Sequence, residues 1–454
     1  MTDRAVRHVV PLREAVRAWF LVSLQTFGGP AGQIAVMQRT LVDERRWIGE
    51  RRFLHALNYC MLLPGPEAQQ LAVYSGWLLN GWIGGLVAGV LFVLPGLVAM
   101  LALSWLYVAQ GETTLVAGLF LGLAPAVLAI VLQAVVRVGR RALRNRFLVG
   151  LAVAAFVALA LLGLPFPLVV LGAGVLGWAA GRRQPAWLAV PPPGKPGAGE
   201  QHADPLVPDD ALHDARPSGR RVLAVLAGGV VLWVTPVLAA LLLTRDSDSV
   251  FVDQGVFFGG MALVTFGGAY AVLAYVAQAA VETFGWLGPG EMVRGLALAE
   301  TTPGPLIMVV QFVAFLGAYR DPGALEPWVA GVLASLLTVW VTFVPSFVFI
   351  FLGAPYVERL RGSHALSSAL AGVTAAVVGV IASLALYFAV HTLFSDTRAV
   401  GWGPLALDAP VWSAYVWEAW LVAALAAWLV LRRGWSVLRT LGVCALAGVL
   451  LALV

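Results

Sequence analysis

The stretch Pro64-Gly65-Pro66-Glu67-Ala68-Gln69-Gln70 interrupts an apolar run over residues 52–80, and it decides how the chain folds there. Proline removes a backbone donor, and the residue before a proline avoids the helical region, so a helix through this run must break. A new helix beginning at Pro66 directs its free N–H groups toward the gap, where its positive end suits an anion. Non-helical backbone inside a bilayer is tolerated only where it is buried or lines a cavity. The stretch therefore predicts a polar site inside a bundle of helices.

The composition is that of a protein that lies in a lipid bilayer. Of the 454 residues, 60% are hydrophobic and only 12% are charged, and the mean hydropathy is +0.87. Apolar runs of roughly 17–25 residues recur along the chain, and about 20 residues at ~1.5 Å each cross a ~30 Å hydrocarbon layer. Because the alternation typical of membrane barrels is absent, the predicted fold class is an all-α polytopic membrane protein.

Several functional classes are excluded by sequence patterns. The net charge of +5 comes from short arginine clusters between apolar runs, which indicate membrane orientation rather than nucleic-acid binding. No catalytic or nucleotide-binding motif is present, so we expect neither an enzyme nor a cofactor. Cys60 and Cys444 show no CxxC spacing, and His202 and His213 lack ligand spacing, so we expect no metal site. The first helix follows a basic N-terminus without a cleavage site and is expected to be retained.

An internal repeat divides the chain into two homologous halves. At an offset of 239, Thr26-Phe27-Gly28-Gly29 falls on Thr265-Phe266-Gly267-Gly268, and Pro64-Gly65-Pro66 falls on Pro303-Gly304-Pro305. Further on, Pro95 matches Pro345 at an offset of 250, so about eleven residues are inserted around 321–328. We predict an N-terminal repeat over 1–181, a polar linker over 182–220, a connecting transmembrane helix over 221–243 and a C-terminal repeat over 244–454.

The orientation of the halves follows from a count of segments. We predict thirteen, near 15–37, 52–80 (broken), 83–109, 114–136, 147–162, 165–181, 221–243, 252–279, 290–320 (broken), 327–353, 366–394, 412–431 and 437–454. Seven segments separate the starts of the two halves, and an odd number makes the repeats inverted. This topology places the loop 39–52 outside despite its five arginines. If the broken segments re-enter instead of crossing, the count predicts parallel repeats.

Paired breaks at matching positions favour a transporter site. Both Gly-Gly pairs lie inside expected helices, where glycine weakens the helix, although close helix packing is the alternative for a single copy. Broken helices in corresponding places of inverted halves indicate a substrate site near the midplane of a transporter. The first half adds Glu67, Gln69 and Gln70, whose counterparts are apolar, so the two halves are not expected to act equally.

Charged side chains near the breaks are further candidates. Arg294 precedes Pro303 by nine residues and is matched by His55, and both would alternatively be interfacial. Glu67 and Glu300 are candidates for proton coupling, with an interhelical hydrogen bond as the alternative for Glu300. The predicted substrate-binding residues are Gly28, Gly29, Pro30, Gln33, His55, Pro64, Gly65, Pro66, Glu67, Gln69, Gln70, Gly267, Gly268, Arg294, Pro303, Gly304 and Pro305.

These motifs resemble those of the chromate ion transporter family in its long form with two fused homologous domains. The resemblance rests on the FGGP segment with Gln33, the Asp-Glu-Arg-Arg-Trp stretch at 43–47, the Pro64–Gln70 block and its diverged second copy. It covers essentially all of the chain except the linker. It implies efflux of chromate from the bacterial cytoplasm, with sulfate as a related oxyanion. The second half departs from the first by having Ala269 where the first has Pro30.

The expected function is therefore that of a multi-pass secondary transporter of the bacterial cytoplasmic membrane that exports chromate by alternating access, with sulfate or related oxyanions as further expected substrates. An anion channel lined by the broken helices is the alternative, and a membrane-embedded enzyme acting through Cys60 is disfavoured because a lone buried cysteine usually serves packing. The expected partners are a small oxyanion and the lipid bilayer, without nucleic acid. Homodimer formation is left open by the sequence.

Overall fold

The computed structural model describes residues 9–27, 29–111, 113–184, 205–207, 219–246, 248–266, 269–288, 290–353, 364–402 and 405–453. The predicted linker over 182–220 therefore lies largely outside the described residues. In the first part of the chain the helices are α1 (Leu12–Ser23), α2 (Gly29–Gln38), α3 (Glu50–Cys60), α4 (Glu67–Gln110), α5 (Thr114–Ala142), α6 (Arg146–Ala160) and α7 (Phe166–Arg183).

The second part follows with α8 (Gly219–Thr244), α9 (Val250–Val264), α10 (Ala269–Gln278), α11 (Glu291–Thr301), α12 (Val309–Arg320), α13 (Pro327–Gly353), α14 (His364–Leu393), α15 (Trp417–Ala427) and α16 (Val437–Ala452). Short 3-10 turns cover Leu306–Met308 and Trp412–Ala414, and π-helical turns cover Arg39–Glu44, Ala279–Thr283 and Trp428–Arg432. An antiparallel ribbon of β1 (Thr397–Trp402) and β2 (Leu405–Pro410) joins α14 to α15. The protein is thus all-helical apart from this ribbon within the described part.

Five of the described helices are long and apolar enough to cross a membrane. They lie at Glu67–Gln110, Thr114–Ala142, Gly219–Thr244, Pro327–Gly353 and Ser367–Leu393. The other helices are shorter, so a segment such as 15–37, which the sequence predicts as one span, is divided. Its first helix ends at Ser23 and the next begins at Gly29, because the glycines and Pro30 interrupt helical hydrogen bonding.

A tight reversal splits α4 into two antiparallel parts. Asn80 has φ −137° and ψ 23°, and Gly81 has φ 62° and ψ −148°, a conformation that favours glycine. Gly76 and Gly84 face each other across the reversal so closely that a Cβ on Gly76 would lie 2.3 Å from the Gly84 carbonyl oxygen. In the second half the matching connection is the longer loop between α12 and α13, where the repeat analysis places the inserted residues.

Several segments of the first half begin and end at the same end of the molecule, called here the Trp82 end. Arg45 forms an ion pair with Glu14 at 3.0 Å, so the chain leaves this end at α1 and comes back after α2. The Val9 N–H donates to the Leu79 carbonyl at 3.0 Å, which brings the first part of α4 back to the same end. The Arg221 guanidinium lies 5.3 Å from the Trp82 ring, so α8 begins here as well.

The opposite end, called here the Glu291 end, gathers the corresponding second-half segments. Arg320 pairs with Glu291 at 2.7 Å and donates to the Trp286 carbonyl at 3.1 Å, so α11 leaves this end and α12 returns to it. The Tyr107 hydroxyl donates to Glu291 at 3.0 Å, which places the last turn of α4 here. The second part of α4 thus runs from one end of the molecule to the other.

Several helices pack closely through small residues. Close packing matters here because helices in lipid lack the hydrophobic driving force that assembles the core of a water-soluble protein. α16 packs on α5 through glycines: a Cβ on Gly448 would lie 2.3 Å from the Gly122 nitrogen, and one on Gly122 would lie 2.0 Å from the Cys444 carbonyl oxygen. α14 meets α7 in the same way, because a Cβ on Gly372 would lie 2.9 Å from Gly177 Cα. These contacts surround the broken helices with tightly packed long ones.

Candidate functional site

The four interrupted helices meet near the centre of the molecule through a reciprocal pair of hydrogen bonds. The Gly65 N–H donates to the Thr265 carbonyl at 2.8 Å, and the Gly304 N–H donates to the Thr26 carbonyl at 3.0 Å. Each PGP glycine of one half thus binds the threonine before the Gly-Gly pair of the other half. An exchange in which each partner supplies both roles is the signature of a two-fold relation.

Backbone geometry at the two PGP glycines makes this exchange available only to glycine. Gly65 has φ +120° and Gly304 has φ +104°, values that residues with a Cβ rarely adopt. Both glycines are buried. A Cβ on Gly65 would lie 2.8 Å from Gln70 Nε2 and from Ser346 Oγ, and one on Gly304 would lie 3.1 Å from Gly96 Cα. Gly96 and Ser346 occupy matching positions of the repeat, so the same packing occurs on both sides of the centre.

Buried amide side chains donate hydrogen bonds to backbone carbonyls at the two PGP breaks. Gln33 Nε2 donates to the Gly304 carbonyl at 2.6 Å, and Gln70 Nε2 donates to the Pro64 carbonyl at 2.7 Å. Both glutamines are at most 1% exposed. Gln33 therefore contacts the second PGP break and Gln70 contacts the first.

The helix that follows the first break carries the polar cluster predicted from the sequence. Glu67 is the first residue of α4, which follows Pro66 directly, and its side chain is half-buried. Gln69 is fully buried, and among the residues that the structure describes neither its amide nitrogen nor its amide oxygen has a hydrogen-bond partner. His55 lies half-buried on α3, on the other side of the break.

Before the second break, Glu300 is bound by a tyrosine that sequence reasoning missed. The Tyr270 hydroxyl makes a short hydrogen bond to Glu300 Oε1, and Glu300 is 1% exposed. Tyr270 also lies against Gly29 of the first half. Its counterpart in the first half is Ala31, so the comparison of repeats gave no signal; its position two residues after the second Gly-Gly pair is the one available clue.

Arg294 lies away from the breaks, at the Glu291 end. It is exposed, donates to the Tyr107 hydroxyl at 3.2 Å and lies 5.9 Å from the Phe120 ring. The last seven residues of α11, at ~1.5 Å each, and Thr302 separate it from Pro303. It lines a cavity of about 560 Å³ together with Arg320 and Tyr107. The structure therefore places Arg294 at an exposed position near Glu291, apart from the PGP breaks.

Three predicted site residues, Gly28, Gly267 and Gly268, lie outside the described residues, as do His202 and His213. Pro30 lies in the first turn of α2, and Gly29 begins that helix with φ +75°. No group of three or more metal-ligating side chains occurs within the described ranges.

Comparison with known proteins adds independent observations. The sequence model of the Chromate transporter family matches residues 13–178 and 252–449, which leaves out the linker region and α8. A chromate transport protein of Pseudomonas aeruginosa is 32% identical over 421 residues, covering 90% of this chain and 89% of that protein. A chromate transport protein of Cupriavidus metallidurans is 28% identical over 397 residues, covering 87% of each. A probable chromate transport protein of Synechococcus elongatus is 25% identical over 388 residues. No solved structure matches this chain.

Proposed function

The chain belongs to the chromate transporter family, and from this membership we propose that it exports chromate from the cytoplasm, with sulfate as a second substrate. It is a transporter rather than an enzyme, and it is a multi-pass protein of the bacterial cytoplasmic membrane. The observation that carries the proposal of a central transport site is the reciprocal pair of hydrogen bonds between the breaks, Gly65 to Thr265 and Gly304 to Thr26.

We propose that the halves are inverted, and that the broken segments are re-entrant hairpins. Trp47 and Trp286 are matching residues of the repeat, yet the Trp47 carbonyl binds the linker residue Val207 at 3.0 Å, whereas the Trp286 carbonyl binds Arg320 at the other end. Equivalent residues at opposite ends support inversion without any count of segments. The thirteen segments then comprise nine crossings and four hairpins, 12–45, 50–80, 250–283 and 291–320.

Re-entrant hairpins also account for the arginines of the loop 39–52. The ion pair of Arg45 with Glu14 and the hydrogen bond of Gly49 N–H to Val207 place this loop at the Trp82 end, beside the linker. Arg182, Arg183 and Arg220 flank the same linker. We therefore propose that the Trp82 end faces the cytoplasm, in agreement with the rule that basic loops stay inside. When both hairpins of each half re-enter, the number of crossings between the starts of the two halves stays odd. The repeats therefore remain inverted and need not be parallel.

The chemistry at the centre fits a tetrahedral oxyanion. Helix α4 begins after Pro66, and the helical turn Leu306–Met308 begins after Pro305, so free N–H groups of both segments are available at the breaks. Each helix terminus contributes about 0.3–2 kcal/mol toward an anion, and the amide N–H groups of Gln69, which have no partner among the described residues, add neutral donors. Outward movement of a dianion against ~100 mV, inside negative, releases about 2 × 2.3 kcal/mol, so export does not require a coupled ion.

The buried state of the centre favours a carrier over the channel alternative. Gly65, Gly304, Gln69 and Glu300 are all buried, so no open pore exposes these residues in the described conformation. Alternating access follows if the hairpins of one half rock against those of the other around the reciprocal hydrogen bonds. Electrical recording distinguishes the two mechanisms, because single-channel currents would contradict a carrier.

Export is tested by measuring the uptake of radiolabelled chromate into inverted membrane vesicles that contain the protein. Uptake into these vesicles should depend on the protein, increase with a potential positive inside the vesicle and fall with sulfate as competitor. Glu67→Gln should reduce uptake, whereas Glu50→Gln, at an exposed carboxylate on the first turn of α3, should not. Equal uptake by protein-free vesicles would contradict the proposed function.

Glu300 is the stronger candidate for proton coupling, because Tyr270 holds it in place inside the membrane. Glu300→Gln keeps a hydrogen-bond acceptor for Tyr270 but cannot ionise. If Glu300 carries a proton, this variant should transport chromate under a potential alone and lose any acceleration by a pH gradient. Flux measured with each gradient separately checks this, and an unchanged response to the pH gradient would remove Glu300 from coupling.

A further inference from the structure

Buried hydroxyl side chains follow one face of α13. Ser335, Thr338, Thr342 and Ser346 are spaced by three, four and four residues, which places them on the same face of the helix. All four are at most 1% exposed. Their counterparts in the first half at the offset of 250 are Gly85, Ala88, Phe92 and Gly96, so this feature, called here the α13 hydroxyl line, belongs to the second half alone.

Contacts at its two ends fix the direction of the α13 hydroxyl line. Ser346 Oγ accepts a weak hydrogen bond from Gln70 Nε2 at 3.5 Å and lies beside Gly65, so one end is at the first PGP break. Ser335 Oγ donates to the Gln311 carbonyl at 3.4 Å, which places the other end against α12. Because α13 starts near the Glu291 end, the line runs from the central site toward that end.

Several buried polar atoms, on this line or on residues at and next to its two ends, have no partner within the described part of the chain. They are Thr338 Oγ1, Thr342 Oγ1, Gln70 Oε1, Gln311 Oε1 and both amide atoms of Gln69. Hydroxyls in membrane helices commonly bind the carbonyl four residues earlier, as Thr374 does with Leu370. A buried polar atom without a partner costs about 1–3 kcal/mol, so such a concentration indicates groups that find partners in another state. The Thr338 and Thr342 hydroxyls and Gln69 Nε2 can donate to an oxyanion or to water, whereas the three amide oxygens accept and are satisfied by water.

We propose that the α13 hydroxyl line is the outward arm of the substrate path, which leads a tetrahedral oxyanion from the first PGP break to the Glu291 end. This inference rests on the proposed function. Hydroxyl and amide groups offer hydrogen-bond donors without a fixed charge, so they replace part of the anion's hydration while binding it weakly enough for release. The cavity with Arg294 and Arg320 lies at the Glu291 end, where a cationic surface receives the departing anion.

Accessibility of cysteines tests the path without requiring transport. In a background of Cys60→Ser and Cys444→Ser, Thr338→Cys and Thr342→Cys are compared with Val341→Cys, which is 1% exposed on the same helix but off the line. A water-soluble, membrane-impermeant thiol reagent is added from the Glu291 end. The two line positions should react at least about tenfold faster than Val341→Cys, and sulfate should slow their reaction. Equal rates at all three positions would overturn the proposal, whatever the outcome of the export assay.

Flux measurements separate a role in the path from a role in packing. Thr342→Val keeps the shape of the side chain but removes its hydroxyl, and it should reduce oxyanion flux about tenfold, whereas Thr342→Ser should restore most of it. Thr374→Val is the matched control, because the Thr374 hydroxyl already binds a backbone carbonyl. Wild-type flux from Thr342→Val would contradict the proposal. If that variant fails to fold, Thr338→Val provides the same test at the neighbouring position of the line.

Discussion

At the scale of single residues, Gly65 and Gly304 carry the architecture of the centre. Both use a positive φ, and both donate to a threonine carbonyl of the opposite half. A side chain on Gly304 would meet the backbone of Gly96, which cannot move aside as a flexible side chain can. These glycines are therefore needed both for the backbone conformation at the breaks and for the contacts between the two halves.

Gly304→Ala should abolish most transport and lower the yield of folded protein, because positive φ is strained for alanine and a Cβ 3.1 Å from Gly96 Cα requires the Gly96 backbone to shift. Gly150→Ala is the matched control, since it lies within α6 with nothing near its Cβ. Size-exclusion profiles and flux in proteoliposomes measure both effects. Normal flux from Gly304→Ala would show that the reciprocal hydrogen bonds do not organise the site.

Gln33→Leu should destabilise the protein by about 1–3 kcal/mol, because it leaves the buried Gly304 carbonyl without its side-chain donor. Gln25→Leu provides the comparison, since Gln25 is exposed and water can replace both of its hydrogen bonds, the one it donates to the Leu21 carbonyl and the one it accepts from Arg39. Thermal unfolding in detergent should give a lower Tm for Gln33→Leu only. Equal Tm values would mean that water replaces the lost donor.

Residue patterns predicted the breaks but not the partners across them. Proline and glycine act on the backbone locally, so both PGP motifs and the divided helix 15–37 are readable or explicable from neighbouring residues. The partner of Gly65 lies 200 positions away at Thr265, and the repeat gives equivalence without giving contact. Arg294 shows the same limit of sequence patterns. Its charge suggested a role at the breaks, but its position near the start of α11 keeps it apart from Pro303.

At the scale of elements, packing between α5 and α16 depends on glycines that face each other. Gly122→Val should disrupt this contact, since a Cβ there would overlap the Cys444 backbone, and helices in lipid gain association energy from close approach. The expected result is a loss of folded protein rather than altered substrate preference. Gly442→Val, on α16 with nothing near its Cβ, should be tolerated. Expression and monodispersity of the two variants provide the measurement.

Hydrophobic runs located the elements well, but they do not show where a helix inside a run is interrupted. A run such as 252–279 has the length and composition of one span, yet α9 ends at Val264 and α10 begins at Ala269. Hydropathy measures affinity for lipid and does not record direction, so a hairpin and a crossing give the same signal. Only the contacts of their ends, such as Arg320 with Glu291, distinguish them.

At the scale of the whole molecule, the proposed inversion makes a prediction about sidedness. Leu206→Cys, Arg51→Cys and Thr113→Cys are introduced into the background without native cysteines. An impermeant maleimide should label Thr113→Cys in intact cells, whereas Leu206→Cys and Arg51→Cys should react only in inverted vesicles, because both lie at the Trp82 end. Labelling of Arg51→Cys from outside would restore the crossing topology predicted for the loop 39–52.

The duplication itself was visible in the sequence because motifs recur at a constant offset, whereas the asymmetry of function is less visible. Loss of polar residues from one half leaves the backbone arrangement intact, so the fold retains the two-fold relation while Glu67, Gln69 and Gln70 remain on one side. The α13 hydroxyl line adds the converse asymmetry in the second half. The α13 hydroxyl line is notable because its side chains are buried and some lack hydrogen-bond partners among the described residues. The spacing of residues in the sequence does not show either property.

The reciprocal hydrogen bonds also have a consequence for biogenesis. Thr26 and Gly65 enter the membrane early in synthesis, but their partners Gly304 and Thr265 are made about 200 or more residues later, or roughly 10–50 s at ~5–20 residues per second. During that interval the breaks of the first half have backbone groups without partners, which lipid cannot satisfy. We expect the nascent chain to keep them beside the insertion machinery until the second half arrives, so a chain truncated within the linker should be cleared by proteolysis.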